Sequence, residues 1–163
     1  MPIRLSLLIV ILTLFCGCET ASGPASEGDY VAPAAGATAT IRGSRNRDNS
    51  FFEGEHVGRV LLIDSRLLRA SEANVEEPVA LTAGKHNIVA EYRHSNFLSQ
   101  AYLTFEATPG SAYQLTIRNG REAPDDQRYC EFWITDLTAG KPVTEVLHRR
   151  VSGGKTSSTF SAR

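Results

Sequence analysis

Ala101-Tyr-Leu-Thr-Phe-Glu-Ala-Thr-Pro-Gly-Ser-Ala-Tyr-Gln-Leu-Thr-Ile-Arg118 is the stretch that decides the fold class. Ala101, Leu103, Phe105 and Ala107 alternate with Tyr102, Thr104, Glu106 and Thr108. Beyond Pro109-Gly110, Tyr113, Leu115 and Ile117 alternate with Gln114, Thr116 and Arg118. A period of two marks strands that bury one face, because successive side chains point to opposite sides of a sheet. Pro then Gly suits the two central places of a tight turn. The stretch is therefore expected to be a hairpin.

The same texture extends in both directions. Upstream, Ala37, Ala39 and Ile41 alternate with Thr38, Thr40 and Arg42, and Arg59 to Ile63 is a dense apolar strand. Asp64-Ser65-Arg66 reads as a turn, with Leu67-Leu68 returning and Val79 to Leu81 following as a short strand. His86 to Arg93 places Ile88, Ala90 and Tyr92 on one face; Gly43 to Glu55, His94 to Ser99 and Asn119 to Gln127 read as polar loops. Downstream, Arg128 to Asp136 puts Cys130, Phe132 and Ile134 on one side and Tyr129, Glu131 and Trp133 on the other; Val143 to His148 is the last strand. No window carries a helical stripe. About seven to eight strands with one apolar face each must bury those faces against a second sheet, so residues 37–150 are expected to form an all-β antiparallel sandwich.

The ends differ in character. Met1 to Gly17 has a positive start at Arg4 and an apolar run from Leu5 to Phe15, the order of a secretory signal. That run is too short to cross roughly 30 Å of hydrocarbon. Gly17-Cys18 resembles the bacterial lipobox, although Phe15 stands where leucine is usual. The resemblance implies that residues 1–17 are removed and that Cys18 is acylated with palmitate-type chains, each buried methylene contributing about 0.8 kcal/mol to membrane anchoring. Glu19, rather than Asp, follows the cysteine. In lipoproteins of this kind that implies the outer membrane, facing the periplasm. Residues 18–36 are rich in Ala, Ser, Gly and Pro and are expected to be a disordered tether; residues 151–163 are expected to be a disordered tail.

Composition excludes some functions. A net charge of -1 gives no electrostatic footprint for nucleic acid. Of the three cysteines, an acylated Cys18 leaves Cys130 without a partner once Cys16 is removed, and its place on an apolar strand face predicts a buried thiol.

Chemistry finds little purchase. His86 and His94 share a strand face but stand eight positions apart, about 26 Å along a straight strand, and neither His56 nor His148 has zinc-like spacing. Glu122, Asp125 and Asp126 share a loop with Asn119 without the order of a calcium loop, and Arg121 and Arg128 oppose them. There is no Gly-x-Ser-x-Gly elbow, and Gly153-Gly154-Lys155-Thr156 lacks the earlier glycine of a phosphate loop. No cofactor, metal or catalytic activity is expected, a small hydrolase or metal-dependent enzyme being the disfavoured alternative. Two features suit binding: Arg42, Arg45 and Arg47 beside Phe51-Phe52, and an outward aromatic pair, Tyr102 and Trp133.

The runs Val60-Leu-Leu-Ile-Asp64-Ser-Arg66, Pro78-Val-Ala-Leu81, Ala83-Gly-Lys-His-Asn-Ile88, Phe105 to Tyr113 and Thr135 to Val143 resemble the PEGA-type, transthyretin-like (carboxypeptidase-regulatory-like) modules of bacterial envelope proteins. Ser65 stands where that pattern has glycine, and Ala83 where it has proline. The resemblance implies a β-sandwich that acts as a non-catalytic binding or structural module. Its partners would be the membrane, through the lipid, and an envelope protein if the chain is an accessory subunit of a larger assembly.

Overall fold

The computed structural model describes residues 27–33, 38–47, 54–69, 75–122, 124 and 127–153. Twelve strands run through them: β1 (Ala39–Arg42), β2 (Ser44–Arg47), β3 (Glu55–Ile63), β4 (Arg66–Leu67), β5 (Val79–Leu81), β6 (Gly84–His94), β7 (Phe97–Ala107), β8 (Ala112–Glu122), β9 (Gln127–Asp136), β10 (Lys141–Pro142), β11 (Leu147–Arg150) and β12 (Ser152–Gly153). They form two sheets. One has the order β10-β9-β8-β1-β5 with β11 also on β9; the other has the order β12-β7-β6-β3-β2 with β4 on β3. Every strand pair is antiparallel except β1 with β8. The fold is the all-β sandwich that the alternation predicts.

Between the sheets lies one apolar core, with Ile41, Ile63, Leu81, Ile88, Leu115, Cys130, Phe132 and Ile134 almost wholly buried. These are the in-facing members of each alternating run, and β3 keeps Ile63 inward despite a register shift between Val60 and Leu62.

The expected Pro109-Gly110 hairpin is not one. The turn exists, with the Ser111 N–H donating to the Thr108 carbonyl at 3.1 Å and Gly110 at φ 79°. Yet β7 pairs with β6, and β8 pairs with β9 and β1. The chain arches from one sheet to the other. A positive φ confined to the second central residue belongs to a type II turn, whose twist splays its flanking strands instead of pairing them. Burial alternation is the same for two strands side by side and two strands face to face.

Other boundaries shift as well. Gly43 to Glu55 contains β2, a polar edge strand paired antiparallel with β3. At Gly43 the chain steps between the sheets: its N–H donates to the Val75 carbonyl at 2.7 Å, and a Cβ there would strike the carbonyl of Gly58 and come within 2.8 Å of that of Val75. The loop read at His94 to Ser99 shrinks to a tight turn at Ser95-Asn96, and β8 and β9 extend into the loop read at Asn119 to Gln127.

Part of the expected tether belongs to the domain. Leu67 donates its N–H to the Gly28 carbonyl at 2.7 Å, and Tyr30 donates its own to the Leu67 carbonyl at 2.8 Å. The Tyr30 hydroxyl reaches the Ala80 carbonyl at 2.8 Å while its ring packs on the core. One large aromatic with a satisfied hydroxyl is enough to dock a Gly/Ala-rich segment. At the other end, the start of the expected tail forms β12, which pairs with β7. Cys18 lies outside the described residues.

Candidate binding site

The long β8–β9 hairpin carries its inward alternation beyond the core. After Ile117 on β8 come Asn119 and Arg121; before Cys130 on β9 comes Arg128. Arg121 and Arg128 are register partners and so share a face, and both line the concave end of the sandwich. Across from them stand His56 of β3 and Tyr92 of β6. These residues, with Gly120, Tyr129 and Val151, line a cavity of about 290 Å³. That is the lower end of the range for small-molecule sites.

The walls are held from several directions. His56 is 1 % exposed, and its Nδ1 lies 2.7 Å from the Tyr92 hydroxyl. The His56 ring stacks on that of His94, centroids 4.1 Å apart, and His94 Nδ1 donates to the Glu55 carbonyl at 3.2 Å. The Arg128 guanidinium lies 4.2 Å from the centre of the Phe97 ring, a cation–π contact that ties β9 to the facing sheet. Val151 donates its N–H to the Arg128 carbonyl at 3.0 Å where the chain passes from β11 to β12. Tyr129 stacks on His148, centroids 4.4 Å apart.

Sequence spacing separates His56 and His94 widely, but the pairing of Val57 with Arg93 brings them together one step further along the ladder. The Arg121–Arg128 pair was hidden because Asn119 to Gln127 reads as a loop. Treating that segment as the tip of a hairpin would have placed the two arginines opposite one another.

The residues singled out from sequence are dispersed. Arg42 ends β1 and donates Nη2 to Gln114 Oε1 at 3.2 Å. Arg45 lies on β2 in an ion pair with Glu55, and Arg47 ends β2 opposite Glu55. Phe51 and Phe52 lie outside the described residues. Tyr102 is 59 % exposed and Trp133 half-buried, but they belong to different sheets and form no common platform. Glu122 is taken up by His148, Nε2 to Oε1 at 3.1 Å, and Asp125 and Asp126 lie outside the described residues. Among the described residues no three His, Cys, Asp or Glu side chains gather as a metal-binding group would.

One further arrangement resembles a triad. His86 Nδ1 lies 2.7 Å from Asp64 Oδ2, and its Nε2 faces Thr82. The Thr82 carbonyl, at 2.9 Å, is nearer to that nitrogen than the hydroxyl at 3.4 Å. The nitrogen is thus engaged by the backbone, and Asp64 also accepts the Asn87 N–H at 2.8 Å. This is a turn lock for the β3–β4 corner.

Comparison with protein-family models, with curated proteins and with solved structures found no match for this chain.

Proposed function

We propose that this chain is a lipid-anchored envelope protein, held through Cys18 on the periplasmic side of the outer membrane, and that it works as a non-catalytic binding module with the β8–β9 end cavity as its seat. The observation that carries the reading is the polarity of the sandwich. The chain enters the domain at Gly28–Tyr30, docked on Leu67, which pairs with Leu62 near the end of β3. His56 of the cavity lies at the start of β3, six positions away, or about 20 Å at the usual strand rise. An anchor attached before Gly28 would therefore hold one end of the domain towards the bilayer and leave the cavity at the other. The site's chemistry favours binding over turnover, since its described lining is rich in hydrogen-bonding side chains and the Tyr92–His56 contact is built on a ring that is 1 % exposed and stacked on His94.

Radiolabelled palmitate with membrane fractionation tests the anchoring. The wild-type chain should take the label and sediment with outer membranes; Cys18→Ala should do neither. Unlabelled, soluble wild-type protein would overturn the assignment.

A further inference from the structure

We infer that the end cavity binds the oxyanion of a small organic ligand, a phosphate or carboxylate group, gripped between Arg121 and Arg128. The inference rests on the reading of this cavity as the module's seat and gives it a ligand class. Three observations carry it.

The first is register. Arg121 and Arg128 are direct cross-strand partners on the inward face, so two positive charges share one rim of a concave site. Both side chains stay positively charged at neutral pH, so this rim favours an anionic group over a neutral or cationic one. Guanidinium groups also present planar forks that match the two oxygens of a carboxylate or phosphate.

The second is the remaining lining. Asn119 contributes an amide, and the hydrogen-bonded pair of His56 and Tyr92 keeps one donor beyond the bond they share, from the imidazole or from the hydroxyl according to the tautomer. None of the described lining residues is a carboxylate. The neighbouring Glu122 alternates to the opposite face, where His148 holds it.

The third is preorganisation. Arg128 is laid on the Phe97 ring and its backbone carbonyl is fixed by Val151, while Tyr92 is fixed by His56. Arginine on an aromatic ring keeps its in-plane N–H groups available for an anion, because the ring occupies only the guanidinium face. The walls come from both sheets, so the site exists only in the folded sandwich.

The test is calorimetric titration of the full chain in detergent micelles with inorganic phosphate and, separately, succinate, at matched ionic strength. Saturable binding of either supports the inference. Phosphate alone points to a phosphorylated ligand, succinate alone to a carboxylate-bearing one, and both to recognition of the shared oxyanion. Arg121→Gln and Arg128→Gln should each weaken binding by roughly tenfold or more, and Arg128→Lys, which keeps the charge but loses the fork, by less. Arg118→Gln, on the outward face, should leave affinity unchanged. Where a Gln variant fails to fold, amide shifts of the wild-type chain decide: they should centre on Asn119 to Arg121 and on Arg128-Tyr129. No saturable binding of either anion, or shifts centred elsewhere, overturns the inference. A palmitate-labelled, membrane-bound chain that ignores both anions refutes the ligand class alone. An unlabelled chain that binds them refutes the anchoring alone.

Discussion

Phe105 and Tyr113 meet edge to face across the core, ring centroids 4.8 Å apart, although only a Pro-Gly turn separates their strands. The Tyr113 hydroxyl also accepts the Thr108 N–H at 3.0 Å, so one side chain packs the arch and caps it. Phe105→Ala should therefore lower stability by about 3–5 kcal/mol, the range for deleting a buried phenyl ring. Tyr113→Phe keeps the ring and removes only the acceptor, for a loss of about 1 kcal/mol. Urea unfolding would measure both. Equal losses would mean that the hydrogen bond, and not the ring contact, holds the arch.

A different kind of interaction covers the outer face of the β7–β6–β3 sheet. Register sets Arg59, Glu91 and Gln100 in one row across three strands. Glu91 is 4 % exposed; Arg59 approaches its Oε1 at 2.6 Å, Gln100 donates to its Oε2 at 3.2 Å, and Arg93 stands at 3.5 Å. Removing one partner of a buried pair strands the other's charge, which typically costs about 3–5 kcal/mol. Arg59→Met should fall at the lower end of that range because Arg93 remains. The double variant Arg59→Met/Glu91→Leu should recover most of the loss. A double variant no more stable than Arg59→Met would show that the row contributes through packing of the arginine stem instead of charge.

How far this fold was readable follows from what alternation encodes. It marks which side of a strand is buried, so Ala39 and Ile41, or Cys130, Phe132 and Ile134, were placed correctly. It carries no information about which sheet a strand joins, and β7 and β8 accordingly separated where a hairpin was expected. Strand β2 was illegible because Ser44-Arg-Asn-Arg47 has no apolar period; its order comes from the exposed edge of β3. The cavity was illegible for a related reason. Its histidine, tyrosine and arginines lie on four strands and converge through register, and no short motif records that convergence. Tyr30 in the expected tether was a visible large aromatic, but its partner carbonyl at Ala80 is fifty positions away.

Cys130 offers a direct probe of the core. It is fully buried on β9, and desolvation, with a smaller push from Glu131, raises its thiol far above the ordinary range. Thiolate is the reactive form, so both access and ionisation are suppressed. Maleimide should leave the Cys130 peptide unmodified in the native chain and modify it fully in urea, as read by mass spectrometry. Rapid native modification would contradict the placement of β9.

The outer side of the same strand makes a pH prediction. Glu131 Oε2 accepts from Arg118 Nε at 2.5 Å, and His148 Nδ1 lies 3.8 Å from its other oxygen. The hydrogen bond from Arg118 holds the Glu131 carboxyl below the ordinary carboxylate range, against an upward push from burial and with smaller downward help from the charges of Arg118 and His148. A carboxyl depressed in the folded state releases its proton more readily there than in the unfolded chain. Its contribution to stability is therefore fully present above the unfolded value, about 4.3, and is lost as pH falls through the folded one. Urea midpoints measured from pH 7 to pH 3 should show an acid decline that is shallower in Glu131→Gln, with the two proteins converging at the acid end. Arg118→Gln should flatten the same limb, since it removes the cause of the depression. Parallel curves for wild type and both variants would assign the acid sensitivity to other carboxylates.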